Sequence, residues 1–367
     1  MTGTVRLKYM CVRILAIAVA TAIAAVIAPI GWGPAAQASQ PCAPGGDTKV
    51  IGPMDDWDLF SAVYDLRSGD TLLLAPGVYE IGGGSWGARA LRGCSADLAH
   101  RITITALDPA NPPLLRGQLR FDSPDYWTFS NLRIQGTVPG QHSLLISGGV
   151  GWTLDHVEVF GAAQTGAYAN IYLNGGRGGG PRDFSVINSC IHDGARKVRG
   201  DAGFHGIYVG TPGAGNGASG VIANNIIFNH PIGAGIKLGS GGNAATVGPW
   251  NVRVERNTIV NAQYGVTFHG RLSNDSATGN LIGRSRALPG SPSRKMDTAG
   301  VYLHQVAGSA NLVAGNYVFG VNEAVRKSGR NGVRVARSNV MRRSPRFVGQ
   351  GCNIVALGVP ARFGRRR

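Results

Sequence analysis

Charged residues, acids above all, are scarce in this sequence, and so are long apolar runs. Charged side chains make up 15% of the 367 residues, with 20 Asp or Glu against 36 Lys or Arg. Turn signals do not recur every ~8–12 residues, which disfavours a β-propeller or β-sandwich. The cysteines show no C-x-x-C spacing, which excludes the usual zinc and redox motifs. Beyond one N-terminal run, no stretch is long enough to span a bilayer.

Glycine is abundant instead, with 56 residues, and asparagine recurs inside short β-rich runs. The recurring column is Asn131, Asn188, Asn225, Asn257, Asn280, Asn316 and Asn339, with His156 filling one position. The gaps range from 23 to 37 residues, as expected of a coil with a minimum perimeter that tolerates insertions. Asparagine accepts the left-handed bend that such a coil needs, and stacked amides can bond to one another. The pattern therefore predicts one domain of stacked laps.

Short apolar triplets between these runs give each lap a second strand. They are LLI (144–146), IYL (171–173), IYV (207–209), IKL (236–238), VTF (266–268) and VYL (301–303). Because side chains alternate along a strand, the middle residue of each triplet should point outward. The predicted outward file is Leu145, Tyr172, Tyr208, Lys237, Thr267 and Tyr302. Two positions later on the same face come Asn174, Gly210, Gly239, His269 and His304, and two positions earlier come Asn170, Gly206, Gly235, Gly265 and Gly300.

Three segments carry a resemblance to a known family: DWDLFSAVYDLRSGDTLLLAPGVYE (56–80), ITITALDPANPPLLRG (102–117) and PRFVG (345–349). With them, the chain resembles the right-handed parallel β-helix proteins of the pectin-lyase-like superfamily. It is more distantly similar to polysaccharide lyases of the chondroitinase B and alginate lyase type. The resemblance implies an all-β fold, a single-stranded right-handed parallel β-helix with an N-terminal capping helix. It also implies a closing coil at 345–349.

The N-terminus predicts a cleaved signal peptide over 1–38. Basic residues precede the apolar run ILAIAVATAIAAVIAPI (14–30), and Ala36-Gln37-Ala38 forms an A-x-A cleavage site. A membrane anchor is the alternative, because the run is close to the length of a span. We expect a linker over 39–54, the β-helix over 55–351 and a basic C-terminal tail over 352–367, of which the last residues, 363–367, should be frayed. The mature protein would be secreted or periplasmic, without a transmembrane span.

Four cysteines remain after cleavage, an even number that suits disulfides in an oxidising compartment. Cys42 and Cys94 flank the predicted capping region, so we expect a bridge between them. The remaining connectivity is open, and Cys190 could be a buried thiol.

The net charge is +16, and +13 without the three basic residues of the signal segment. The stretch from 324 to 367 holds twelve Lys or Arg and no acid. A basic surface on an exported protein attracts polyanions. We therefore expect an acidic polysaccharide or lipopolysaccharide as partner. Nothing resembles a DNA- or RNA-binding motif, so no specific nucleic acid is predicted.

The outward file combines aromatic rings with polar groups, as sugar-binding surfaces do. β-Elimination on a uronate polymer needs a base, a group that neutralises the carboxylate and an acid for the leaving oxygen. Lys237 is the candidate base, provided that Arg271 and partial burial lower its pKa. Arg271 or His269 would neutralise the carboxylate; the Lys and Arg pair resembles that of chondroitinase B-like lyases. Tyr208 or Tyr302 would protonate the leaving oxygen. The candidate substrate-binding residues are Tyr172, Tyr208, Tyr302, His304 and Asn174.

Each candidate also has a structural alternative: stacked tyrosines can stabilise rungs, Lys237 can be a solvated charge, and the histidines can be surface groups. Three functions remain open. The protein could bind an acidic polysaccharide and cleave it by β-elimination, bind glycan or lipopolysaccharide without catalysis in the envelope or matrix, or hydrolyse glycosides. Hydrolysis needs two carboxylates, and the outward file supplies none. The resemblance implies calcium as a cofactor, but no cluster of acidic ligands is evident and no metal ligand is assigned.

Overall fold

The computed structural model describes residues 41–53, 56–81, 90–162, 169–175, 179–194, 204–210, 217–239, 247–288 and 297–365. These residues are almost entirely β. The first strands are β1 (Thr48–Ile51), β2 (Thr71–Leu74), β3 (Val78–Ile81), β4 (Ile102–Ala106), β5 (Leu114–Gly117), β6 (Leu119–Asp122), β7 (Trp127–Ser130), β8 (Arg133–Gln135), β9 (Leu144–Ser147), β10 (Thr153–Asp155), β11 (Glu158–Phe160), β12 (Ala169–Asn174), β13 (Phe184–Ile187), β14 (Cys190–His192) and β15 (His205–Val209). The later strands are β16 (Gly220–Ala223), β17 (Ile226–Gly239), β18 (Val247–Trp250), β19 (Val252–Glu255), β20 (Thr258–Ser273), β21 (Ser276–Thr278), β22 (Leu281–Gly283), β23 (Ala299–Ala307), β24 (Asn311–Ala314), β25 (Tyr317–Phe319), β26 (Glu323–Ser328), β27 (Val333–Val335), β28 (Val340–Arg342), β29 (Arg346–Val348) and β30 (Val355–Leu357).

The strands form three faces of a coil, each built from parallel strands of successive laps. The first face runs β1-β2-β4-β7-β10-β13-β16-β19-β21-β24-β27. The second face contains β3, β5, β8, β11, β14, the first halves of β17 and β20, β22, β25 and β28. The third face contains β6, β9, β12, β15, the second halves of β17 and β20, β23 and β26. The predicted parallel β-helix is therefore confirmed. Parallel connections are right-handed in nearly all proteins, in keeping with the predicted hand.

Apolar side chains fill the inside of the coil in stacked files. On the third face one inward file is Ile171, Ile207, Ile236, Val266 and Val301, each 0% exposed. Each lap thus places one β-branched residue on the equivalent residue of the lap below. Because an apolar side chain of this size stabilises the fold by roughly 1.5–3 kcal/mol when fully buried, these files fix which residues point outward.

A ladder of buried side-chain amides follows the bend between the first and second faces. Its members are Asn225, Asn257, Asn280, Asn316 and Asn339. Each Nδ2 donates to Oδ1 of the next member at 2.8–3.0 Å, and each backbone N–H donates to the same oxygen. The second Nδ2 hydrogen goes to a backbone carbonyl of an earlier lap. The ladder therefore satisfies its own buried polar groups, which would otherwise be costly.

The predicted asparagine column is wrong in one respect: it consists of two columns that are one residue apart. Asn188 is in register with Asn224, and Ser189 precedes Asn225 in the ladder, where its N–H donates to the Asn225 amide oxygen. The other column has left-handed φ values of 52–64° at Asn131, His156, Asn188, Asn224, Arg256, Gly279 and Gly315. The bend itself thus falls on the residue before each ladder amide. Asparagine suits both positions, so the sequence pattern merged them.

Helix α1 (Asp56–Tyr64) follows β1, and its Leu59 and Val63 are buried in the core. Its role as a cap stays a prediction. The segment 39–54, expected to be a linker, contains β1, which pairs with β2 and adds a strand to the first face. The predicted signal peptide, 1–38, lies outside the described residues. Among the described residues, no helix is long and apolar enough to cross a membrane.

The C-terminal segment is folded as far as Arg365, whereas we expected 363–367 to be frayed. β29 and β30 form an antiparallel pair around a short 3-10 turn (Gly351–Asn353), so 345–349 does not add a parallel lap as a closing coil. The segment covers outward apolar residues of the second face: Cys190, Ile226, Phe228, Val260, Leu281 and Phe319 cluster with Ile354. Further along, the Arg365 N–H donates to Thr258 Oγ1 at 3.1 Å. Burial of this apolar surface stabilises the packing of the segment against the second face.

Two disulfides fasten the segments before and after the parallel laps to the coil. The expected bridge between Cys42 and Cys94 is confirmed. Cys190 is bonded to Cys352, across 162 residues, so the alternative of a buried thiol is wrong. The second bridge fastens the C-terminal segment to β14 on the second face.

We expect Asn280→Ala to lower the free energy of unfolding by about 2–4 kcal/mol, because the ladder loses one member and its neighbours keep buried, unsatisfied groups. Denaturant unfolding measures this loss. The matched control is Asn131→Gly, which lies outside the ladder and keeps the left-handed conformation accessible. It should cost less than about 1 kcal/mol. Equal losses in both variants would contradict the special role of the ladder.

A fully buried carboxyl group predicts a pH dependence of stability. Asp275 is 0% exposed, its Oδ1 accepts the Val252 N–H at 2.7 Å, and its own N–H donates to Asn311 Oδ1. Burial raises the pKa of Asp275 well above its ordinary value of 3.8, against the opposing effect of the backbone hydrogen bonds. The folded state therefore holds a proton that the unfolded chain releases, and stability should fall as the pH rises above 3.8 towards the folded pKa.

Asp275→Asn should remove this dependence, because an amide occupies the same volume without a charge. We expect the variant to melt at a higher temperature than the parent at pH 7.5. The difference should shrink towards pH 4. A difference of the same size at both values would show that the carboxyl group is not protonated in the fold.

Candidate functional site

The outward file of the third face is continuous and longer than predicted. In register it runs Arg120, Leu145, Tyr172, Tyr208, Lys237, Thr267, Tyr302 and Arg326. The six predicted members are therefore neighbours as expected. Arg120 and Arg326 were missed because LRF and AVRKS do not match the triplet pattern, although the register of adjacent laps would have found them. Both arginines are paired, Arg120 with Asp122 at 3.2 Å and Arg326 with Asp297 at 2.9 Å.

Lys237 ends a stack of rings. The Tyr172 and Tyr208 rings are 5.0 Å apart, and the Lys237 ammonium lies 4.5 Å from the centre of the Tyr208 ring. His142 covers the other side of Tyr172 at 4.6 Å. Because Tyr208 is 7% exposed with a neighbour on each ring face, a sugar would meet its edge rather than stack on it. The stack thus holds Lys237 in place, and cation–π contact stabilises its charged form.

Burial lowers the pKa of Lys237 from 10.5 to about 8. Burial is the only cause; Arg271, expected to contribute, does not. Arg271 follows Gly270, whose φ is 90°, so it lies beyond the bend and is exposed. It is thus separated from the outward file in which Lys237 lies. The amine is partly neutral near pH 8, as a general base at that pH requires.

Two laps beyond Lys237, hydroxyl and imidazole groups meet. Tyr302 Oη is 2.9 Å from His304 Nδ1, and the His269 and His304 rings are 4.5 Å apart, edge to face. Burial, and then the charge of Lys237, lower the pKa of His304. Thr267 lies on the lap between Lys237 and Tyr302, and its buried Oγ1 has no hydrogen-bond partner in the described part of the chain. Polar side chains therefore cluster on this part of the third face.

The glycines before the triplets do not line the outer face as predicted. A Cβ at Gly235 would lie 2.3 Å from Ile259 Cγ2, and one at Gly265 would lie 2.1 Å from Ile282 Cγ2. Both isoleucines point into the core from the second face. The chain bends at these glycines, with a shift of register between His230 and 234, so alternation does not carry across. Glycine is needed at these positions because the inside of the bend has no room for a side chain.

Other predicted site residues have local partners. Asn174 Oδ1 accepts the N–H of Gly175, which fixes the turn after β12. Gly210 faces outward, and a Cβ there would touch the ring of Tyr172. His205, which is not among the predicted site residues, accepts the N–H of 234 at the bend through Nδ1 and so has a structural role.

A charged cluster on the second face was not predicted as a site. His192 lies between the rings of Phe160 and Phe228, and its nitrogens are 2.9 Å from Glu158 and 3.0 Å from Asp193. Burial opposes its charge, but these two carboxylates outweigh burial and raise the pKa of His192 to about 9. The described residues contain one group of three close metal-ligand types, Cys190, His192 and Cys352. Its two sulfurs form a disulfide, so the group is not a metal site.

Comparison with known proteins yields distant likenesses. No family model and no curated protein matches the sequence. An alginate lyase from Paenibacillus sp. is 17% identical, with 82% of this chain and 96% of that chain covered and a TM-score of 0.39. The pectate lyase Pel9A is 13% identical over 84% and 81%, with a TM-score of 0.48, and the Dettilon tailspike protein is 14% identical over 82% and 60%, with a TM-score of 0.37. All are parallel β-helix proteins. Likenesses of this size say nothing about what the third face does.

The buried setting of Lys237 predicts an amine that titrates near pH 8. Nuclear magnetic resonance of lysines labelled at Cε would measure this, with Lys237→Arg to identify the signal. A midpoint near the ordinary 10.5 would contradict the burial of the amine.

Proposed function

We propose that the third face binds an acidic polysaccharide and cleaves it by β-elimination, with Lys237 as the base. One observation carries the proposal: a lysine in the middle of the outward file has its pKa lowered to about 8. A solvated surface lysine would have no reason for such a shift. Lys327, three laps from Lys237 on the third face, is by contrast an exposed lysine.

The reaction would need only groups from this face. Lys237 Nζ takes the proton from C5 of a uronate, the electron pair forms the C4–C5 double bond, and the C4–O bond breaks. Tyr302 Oη gives its proton to the leaving oxygen, and His304, 2.9 Å away, returns one. Lys237 and Tyr302 lie two laps apart, roughly 10 Å along the stack, so a sugar ring could sit between them above Thr267.

Binding without cleavage is the second candidate, as a glycan- or lipopolysaccharide-binding protein of the envelope or matrix. It is favoured by the fact that Arg120 and Arg326 are already paired with carboxylates, and that Arg271 lies beyond the bend. With these three arginines excluded, elimination would have His269 alone to neutralise the substrate carboxylate. A glycoside hydrolase is less well supported, because Asp122, the carboxylate on the first of these laps, is paired with Arg120.

Export is part of the proposal. The two disulfides support it, since such bonds persist in oxidising compartments. The A-x-A site at the end of 1–38 supports cleavage of a signal peptide, with a secreted or periplasmic product. Calcium stays an expectation from the resemblance.

Lys237→Ala should lower the rate of formation of unsaturated product from alginate, pectate or chondroitin at least about 100-fold, because the base is lost. Ultraviolet absorbance of the new double bond measures the rate. In the parent protein the rate should rise with pH through about 8, since only the neutral amine accepts a proton.

The matched control is Lys327→Ala, an exposed lysine of the same face, which should leave the rate unchanged. Polymer binding without unsaturated product in the parent protein would favour the second candidate. Reducing ends without unsaturation would indicate hydrolysis and reject elimination.

A further inference from the structure

A second concave region lies away from the third face, where the chain turns from the third face back to the first. It is a groove of about 790 Å³. Its walls come from four consecutive laps and include Asn251, Arg253, Asn274, Ser276, Leu312 and Arg334. None of the residues considered for the elimination chemistry lines it.

The register explains the shape of the groove. Arg253, Ser276, Leu312 and Arg334 form one outward file of the first face. The two arginines stand at its ends, three lap spacings or roughly 14 Å apart. Between the two arginines, the outward file holds a serine and a leucine, which are shorter than arginine. The residues at the turn beside this file are also small, so the side of the groove that they form is low. The result is a trough along the coil axis with a cation at each end.

The charged side chains that line the groove are all positive. No acidic residue lines it, and neither Arg253 nor Arg334 makes an ion pair in the part of the chain that the structure describes. Asn274 Nδ2 donates to Asn251 Oδ1 at 2.5 Å, which fixes one wall of the groove. Guanidinium groups bind carboxylates and sulfates in a bidentate way.

We propose that this groove binds a short stretch of a linear acidic glycan, with one carboxylate or sulfate at each arginine. A narrow trough suits a single extended chain better than a flat lipid surface. No aromatic side chain lines it, so it lacks the stacking platforms by which single-stranded nucleic acids are held. The groove would serve as a second contact for the polymer, and its argument does not depend on the elimination chemistry of the third face. Two contacts on one polymer raise the overall affinity beyond that of either.

The probe is hexagalacturonate, with maltohexaose as the uncharged counterpart, and the measurement is isothermal titration calorimetry at low and high salt. The double variant Arg253→Gln/Arg334→Gln should bind hexagalacturonate at the groove at least about tenfold more weakly, because two charge-assisted contacts are lost. Ser276→Trp should have the same effect by filling the trough without changing the charge. Thermal melting checks that each variant is folded.

The matched control is Arg337→Gln, which removes an exposed positive charge three residues from Arg334 but outside the groove. It should leave the affinity within about twofold, as expected for a distant screened charge. An equal loss of affinity in Arg337→Gln would show that the arginines act only through diffuse electrostatic attraction, and this would overturn the proposal.

The outcomes separate this proposal from that for the third face. If Lys237→Ala abolishes binding and the groove variants do not, the groove proposal fails and the third face stands. If the groove variants lose binding while product formation on the third face persists, the groove is confirmed. Failure of the parent protein to bind hexagalacturonate, or equal binding of maltohexaose, overturns the groove proposal.

Discussion

The stacking of one lap on the next in exact register is the constraint on which this protein depends. Two kinds of contact enforce it from opposite sides of the chain. Inside, β-branched residues such as Ile207 and Ile236 rest on their equivalents. At the bend, Asn257 donates two hydrogen bonds to Asn280 Oδ1, from its amide side chain and from its backbone, and neither could form if the laps slipped by one residue. A slip would turn every inward side chain outward, so apolar burial and amide bonding fail together.

The chemistry of the surface follows from that register. Tyr208 and Lys237 meet because they occupy the same position on consecutive laps, and each lap brings only about one side chain to the file. The Lys237 amine, the Thr267 hydroxyl and the Tyr302–His304 pair thus follow one another along the coil axis. The same register of one side chain per lap produces the groove, because small residues between the two arginines leave an open trough. In a solenoid, the outward side chains of successive laps form columns, so one substitution changes one position in a column.

The sequence predicted what depends on periodicity and missed what depends on bends and distant contacts. The triplet register was correct, because alternation within a strand is enforced by the core. The glycines were misassigned, because Gly235 lies at a bend where alternation stops. The merged asparagine columns reflect two different demands, a left-handed backbone at Asn188 and a buried amide at Asn225, that one residue type meets. The lowered pKa of Lys237 depends on how neighbouring side chains cover it, which spacing cannot reveal. Nor can spacing reveal that the last residues fold back onto the second face.

The bridge between Cys190 and Cys352 joins a lap near the middle of the coil to a segment close to the end of the chain. During synthesis the second face therefore exposes Ile226, Phe228 and Phe319 until the residues that follow Pro345 have emerged. A truncated product that stopped before Pro345 would have complete parallel laps, but its second face would keep an exposed apolar surface that is prone to bind other molecules.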